Sequence, residues 1–96
     1  MYELKPKNYF VKKYQKLVKK NSLLEGKIEK VFDKMIADPF EISLKTHKVR
    51  SKFGVEAFST SINGDLRIIW DFSQNRINII DLLDIGGHSG SSKVYQ

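Results

Sequence analysis

The apolar residues of this 96-residue chain change their period part-way along, and no other feature limits the architecture as much. From Tyr9 to Lys20, the residues Phe10, Val11, Tyr14, Leu17 and Val18 recur at helical spacing, with Lys12, Lys13, Lys16, Lys19 and Lys20 on the remaining faces. That pattern predicts an amphipathic helix with a basic outer side. Asn21 interrupts it, and Ser22-Leu23-Leu24-Glu25 matches a capping box that opens a second helix. Its stripe is Leu24, Ile28, Val31, Phe32, Met35 and Ile36, and Asp38-Pro39 closes it because the residue before a proline is driven out of the α region. A connection this short predicts an antiparallel helical hairpin.

Beyond Pro39 the period becomes two. Residues 40–54 read as an irregular basic segment, followed by alternating runs over 56–62, 65–72 and 77–85. Asn63-Gly64 between the first two predicts a type I′ hairpin turn, in which both central residues need a positive φ. Residues 73–76 make the second turn, and Met1–Leu4 adds a short strand closed by Pro6. The predicted class is α+β: an N-terminal strand and an α-helical hairpin packed on one face of a small antiparallel β-sheet, in one domain spanning residues 1–96.

Charge narrows the function. Seventeen Lys and Arg against eleven Asp and Glu give a net charge of +6, and at 41% apolar and 11% aromatic the chain is too hydrophobic to be a disordered basic tail. Residues 1–54 hold fourteen basic and six acidic residues, residues 55–96 three and five, so the halves carry +8 and −2. A small basic domain suits nucleic acid, an anionic membrane or an acidic protein. With no cysteine, a disulfide scaffold, a zinc ribbon and a thiol nucleophile are excluded. No apolar run reaches the ~20 residues that span a bilayer, and the N-terminus lacks a signal-peptide core, so an intracellular, cytoplasmic protein is expected.

The two histidines are His47, in the basic stretch Leu44-Lys45-Thr46-His47-Lys48-Val49-Arg50, and His88, after Gly86-Gly87. No carboxylate cluster stands at metal-ligand spacing beside either, so no metal or other cofactor is expected. A solvated loop histidine and a turn histidine are the plain readings of the two. In 65–72, alternation puts Asp65, Arg67 and Ile69 on one face and Leu66, Ile68 and Trp70 on the other, under the helices. Arg67 then stands on the open face, as a solvated side chain paired with Asp65 or as an anion site. Ser59, Ser61 and Asp81 belong to the same polar surface.

Gly64-Asp-Leu-Arg-Ile-Ile-Trp70 and Asp84-Ile-Gly-Gly-His-Ser-Gly-Ser-Ser-Lys-Val-Tyr95, set behind a helical hairpin, resemble the RelE/ParE toxin superfamily of type II toxin–antitoxin modules. The likeness covers essentially the whole chain and is greatest to the RelE and YafQ branches, ribosome-dependent endoribonucleases that cut mRNA in the A site. His47, Asp65 and Gly86-Gly87-His88 match the YafQ pattern, Arg67 before Trp70 and the late Tyr95 the RelE pattern, while Ser61 stands where a second YafQ histidine is found.

The resemblance implies metal-free cleavage in which the substrate 2′-hydroxyl attacks the adjacent phosphate. His47 and His88 are then the proton-transfer groups, in either order; Arg67 stabilises the phosphate; Asp65 orients a histidine or acts as base; and Tyr95 positions substrate. Lys45, Lys48, Arg50 and Lys52 are expected to bind RNA phosphates. The implied partners are a cognate acidic antitoxin, in a hetero-oligomer, and the mRNA-loaded ribosome, with no membrane. A ParE-like, non-enzymatic inhibitor of DNA gyrase and a non-catalytic RNA-binding module are the alternatives.

Overall fold

The structure, a computed structural model, describes residues 1–87 and 94. It contains β1 (Glu3–Pro6), α1 (Asn8–Val18), α2 (Ser22–Ala37), a 3-10 turn (Ile42–Leu44), β2 (His47–Arg50), β3 (Glu56–Ser61), β4 (Arg67–Phe72) and β5 (Ile79–Gly86). The five strands form one sheet in the order β1-β5-β4-β3-β2, with β1 parallel to β5 and every other pair antiparallel. The α+β class and the helical hairpin against one face follow the sequence pattern.

Three local expectations are corrected. The cap of α2 is Asn21, whose side-chain oxygen accepts from the Leu24 N–H at 3.1 Å, in place of a Ser22 box; Lys20, at φ 56°, turns the chain into it. Residues 47–50 of the expected irregular segment form β2, paired with β3 from His47↔Ser59 to Arg50↔Glu56. A polar four-residue edge strand carries little periodic signal, and its ladder comes from a partner that is already a strand. Third, the β3–β4 connection is no two-residue I′ turn, since neither Asn63 nor Gly64 has a positive φ. The Asn63 side chain instead accepts from the N–H groups of Asp65 (2.9 Å) and Leu66 (2.8 Å), and the Ile62 N–H bonds the Leu66 carbonyl at 2.9 Å. This is an Asx-type arrangement that widens the loop. It leaves Asp65 in the loop, with β4 starting at Arg67.

The helices cover Ile68, Trp70, Ile80, Leu82 and Ile85 with Phe10, Ile28, Val31 and Met35. Trp70 is fully buried, and its indole N–H donates to Thr60 Oγ1 at 2.8 Å. Thr46 Oγ1 donates to the Pro39 carbonyl (2.7 Å) and so receives the Thr60 hydroxyl proton, also at 2.7 Å. This relay ties the core to the residue just before His47, which fixes where β2 begins.

The second face is less open than alternation alone predicts. Ile69 does lie there, but it is 0% exposed, enclosed with Ala57 and Val94 and flanked by Val49 and Leu83. Val94 is thus packed on this face; Tyr95 lies outside the described residues. One irregularity shapes this face: Ile69 pairs with Asp84 but Trp70 pairs with Leu82, so Leu83 is the extra residue of a β-bulge.

Candidate active site on the second face of the sheet

His47 lies on the second face, because it pairs with Ser59, which pairs with Ile69. It is exposed, and its Nδ1 is 3.0 Å from the Lys45 carbonyl. A carbonyl only accepts, so Nδ1 carries the proton and Nε2 is the nitrogen left with a lone pair in the neutral ring. Lys45 presents that carbonyl from a left-handed conformation, φ 52°.

Arg67 is on the same face, opposite Ser61 on one side and Gly86 on the other. Among the described residues its hydrogen bonds leave from one nitrogen: Nη1 donates to the Asn63 carbonyl (2.6 Å), the Leu66 carbonyl (3.1 Å) and Ser61 Oγ (3.1 Å). The guanidinium is therefore clamped by its own turn while Nε and Nη2 keep their donors. Ser61, where the resembled pattern has a second histidine, holds this arginine. With strands ~4.8 Å apart, two strands across and two residues along place the His47 and Arg67 backbones on the order of 12 Å from each other, within reach of one phosphodiester by two long side chains.

Asp65 is brought to the end of β5. A methyl group built on Gly87 would meet Asp65 Oδ2 at 2.6 Å, so the carboxylate rests where any side chain at 87 would stand. The next residue in the chain is His88, which, with Tyr95, lies outside the described residues. Replacing Gly87 by alanine is expected to push the Asp65 carboxylate aside at little cost in stability, because that carboxylate is the far end of an exposed side chain. Urea melts of the variant should match the parent within about 0.5 kcal/mol, the range of ordinary surface substitutions.

The basic residues do not gather together. Lys45, which ends the 3-10 turn, and Lys48 and Arg50 of β2 are exposed, but Lys48 and Arg50 alternate away from His47, and Arg50 Nη1 donates to the Gly54 carbonyl at 2.7 Å. Lys52 is drawn inward. Its ammonium is 3.8 Å from Asp84 Oδ2, and Lys13 of α1 reaches Asp84 Oδ1 at 2.7 Å. Burial, the largest influence, works to lower the Lys52 pKa, yet its hydrogen bond to Tyr9 and the Asp84 charge outweigh burial and hold it above the ordinary lysine value. Lys52 is thus held in its cationic form at neutral pH. Sequence reasoning missed the role of Asp84; the available signal was Leu83 between Leu82 and Asp84, which breaks the period of two.

A concavity of the described surface is at the other end of this face, around Lys5, Lys7, Asp71, Arg76 and Asp81. Asp71 and Asp81 are directly opposed there beside Lys5, Lys7 and Arg76, so cations and carboxylates are mixed at that end, whereas Arg67 presents donors at the other.

No family model matches the sequence, and no curated protein matches it. Solved structures do. The chain is similar to the crystal structure of YafQ from E. coli, at 16% identity over 91% of this chain and 93% of that one, with a TM-score of 0.66. YafQ in the E. coli DinJ–YafQ complex gives 0.68 at 16% identity, covering 92% and 94%. A YoeB/ParE toxin from Agrobacterium tumefaciens gives 0.71 at 14% identity, covering 93% and 100%. The chain has the RelE/YafQ toxin fold. Coverage this complete on both sides means that the RelE/YafQ fold accounts for strands, helices and their order from end to end. At such low identity it says nothing about which side chains the chain places on that fold, and the geometry above supplies those.

Proposed function

We propose that this chain is the toxin of a type II toxin–antitoxin pair and a ribosome-dependent mRNA endoribonuclease. The observation that carries the reading is the clamped Arg67 fork on the same sheet face as His47, with Asp65 beside Gly87 at its edge. RNA cleavage by its own 2′-hydroxyl needs three things: a base for that hydroxyl, cationic help for the charge gathering on phosphorus, and an acid for the departing 5′-oxygen. Nε2 of neutral His47 takes the 2′-OH proton. The 2′-oxygen then forms its bond to phosphorus as the P–O5′ bond breaks, and Nε and Nη2 of Arg67 donate to the non-bridging oxygens. His88 returns a proton to the 5′-oxygen, leaving a 2′,3′-cyclic phosphate and a 5′-hydroxyl. Asp65 orients His88, and Tyr95 positions the substrate.

Lys48 and Arg50 on the edge strand, with Lys45 just before it, bind phosphates of mRNA and rRNA with a steep salt dependence. With +6 overall, the natural inhibitor is an acidic antitoxin, matched in charge, and both partners are cytoplasmic. Among the described residues no helix is long and apolar enough to cross a membrane.

Expression of the double variant His47→Ala/His88→Ala in a host cell tests the reading. Growth arrest should disappear together with mRNA ends mapped to the ribosomal A site. Arrest that persists at full strength without new RNA ends would overturn the nuclease and leave a gyrase-directed toxin.

A further inference from the structure

The β2–β3 turn of an RNA-cleaving enzyme ought to be polar, yet its tip is Phe53, 58% exposed, followed by Val55 at 55%. The turn is held firmly. Ser51 N–H donates to the Val55 carbonyl and Gly54 N–H to the Ser51 carbonyl, both at 2.9 Å, and Gly54 takes the φ of 78° that a side chain resists. Arg50 closes it from below through the Gly54 carbonyl. The Lys52 N–H donates to the Val94 carbonyl at 2.9 Å, which ties the turn to the same sheet face that carries His47 and Arg67.

Across from Phe53 stands Tyr9, at the start of α1 and 41% exposed. The rings meet edge to face, 5.3 Å between centroids and 78° between planes. Lysines border both: Lys52 Nζ lies 5.0 Å from the Tyr9 centroid and 5.5 Å from that of Phe53, and Lys13 Nζ lies 5.4 Å from Tyr9. Among the described residues Asp84 is the one carboxylate against these two lysines, so they bring more positive than negative charge to two half-open aromatic rings. A purely apolar partner would leave that charge buried and unmatched. A single-stranded nucleic acid matches it, with a base stacking on a ring and its phosphate meeting the ammonium.

We propose that Tyr9 and Phe53 form a stacking platform for a nucleobase of single-stranded RNA, with Lys52 contacting the adjoining phosphate. This rests on the nuclease reading and extends it, adding a base subsite beside the scissile position. The fixed turn presents Phe53 in one place, so the base is caught without ordering a loop.

Binding of a 2′-O-methyl oligoribonucleotide, which offers no nucleophile and cannot be cut, is measured by fluorescence anisotropy for the parent, Phe53→Ala and Phe53→Trp. Phe53→Ala is expected to weaken binding about tenfold, within the range of a lost base stack. Phe53→Trp should hold the parent affinity, and its indole emission should be quenched by the bound base. Against an oligonucleotide with abasic residues the Phe53→Ala effect should vanish. Unchanged affinity in Phe53→Ala, or an unquenched Phe53→Trp, overturns the platform; so does a loss confined to binding of an acidic peptide. Should the parent bind and cleave RNA while Phe53→Ala behaves identically, the platform alone fails. If the parent neither binds the oligonucleotide nor cleaves mRNA on ribosomes, the nuclease reading fails as well.

Discussion

Arg67→Ala is expected to lower RNA cleavage about 10²–10³-fold, the loss found when one preorganised donor to a developing oxyanion is removed. The geometry gives the reason. Nη1 is committed to the Asn63 and Leu66 carbonyls and to Ser61, so the side chain is fixed before substrate arrives and spends no rotamer freedom at the moment of reaction. The free edge, Nε and Nη2, is a planar pair suited to two phosphate oxygens. Arg67→Lys keeps the charge but not the fork, and should recover only part of the rate. Both substitutions also loosen the β3–β4 turn, at roughly 0.5–1.5 kcal/mol for each net hydrogen bond lost, which a domain of ordinary stability survives. Single-turnover rates on ribosomes, set beside urea melts, separate the two effects. An Arg67→Ala protein that is folded and cuts at the parent rate removes Arg67 from the chemistry.

The second large effect is on stability. Asp84 is fully buried, its Oδ1 takes Lys13 and its own neighbour's Ile85 N–H (2.8 Å), and Oδ2 faces Lys52 with no hydrogen-bond partner among the described residues. Removing one member of a buried ion pair costs about 3–5 kcal/mol where the partners stay buried. Here Lys13 and Lys52 retain 16% and 23% side-chain exposure and can swing toward water. Asp84→Ala should therefore lose about 2–3 kcal/mol, somewhat below that range. The triple variant Asp84→Leu/Lys13→Met/Lys52→Met should regain most of it, since apolar residues of similar volume replace such clusters at small cost. Chemical denaturation with an unchanged m-value checks both. If the triple variant is no more stable than Asp84→Ala, then Asp84 stabilises through something other than the two lysines.

Helices and central strands were legible because each is set by a local period. Phe10 to Val18 and Leu24 to Ile36 carry the helical spacing, and the alternation in 67–72 correctly put Ile68 and Trp70 under the helices and Arg67 on the other face. Asp38-Pro39 ended α2 as expected. The failures share a cause. Asn63 and Gly64 favour an I′ turn, but the Asn63 side chain competes for the same backbone N–H groups and wins. Likewise β2 exists through its partner strand, and Ile69 is dry through Val94, which returns from far along the chain.

For the candidate site the division is sharper. The chain's own letters establish residue types: two histidines, an arginine three positions before the only tryptophan, and a basic first half with a slightly acidic second half. They also establish the faces, since a period of two is a property of the strand backbone. Distances between remote residues come from packing alone. Lys13 and Asp84 are 71 residues apart and meet because a bulge at Leu83 turns the β5 backbone by one position; Tyr9 and Phe53 meet because a clamped turn lies against the start of α1. No local propensity encodes such pairings. They arise when burial of Trp70, Phe10 and Ile69 fixes the helices, the sheet and Val94 against one another, and the polar residues take the positions that remain.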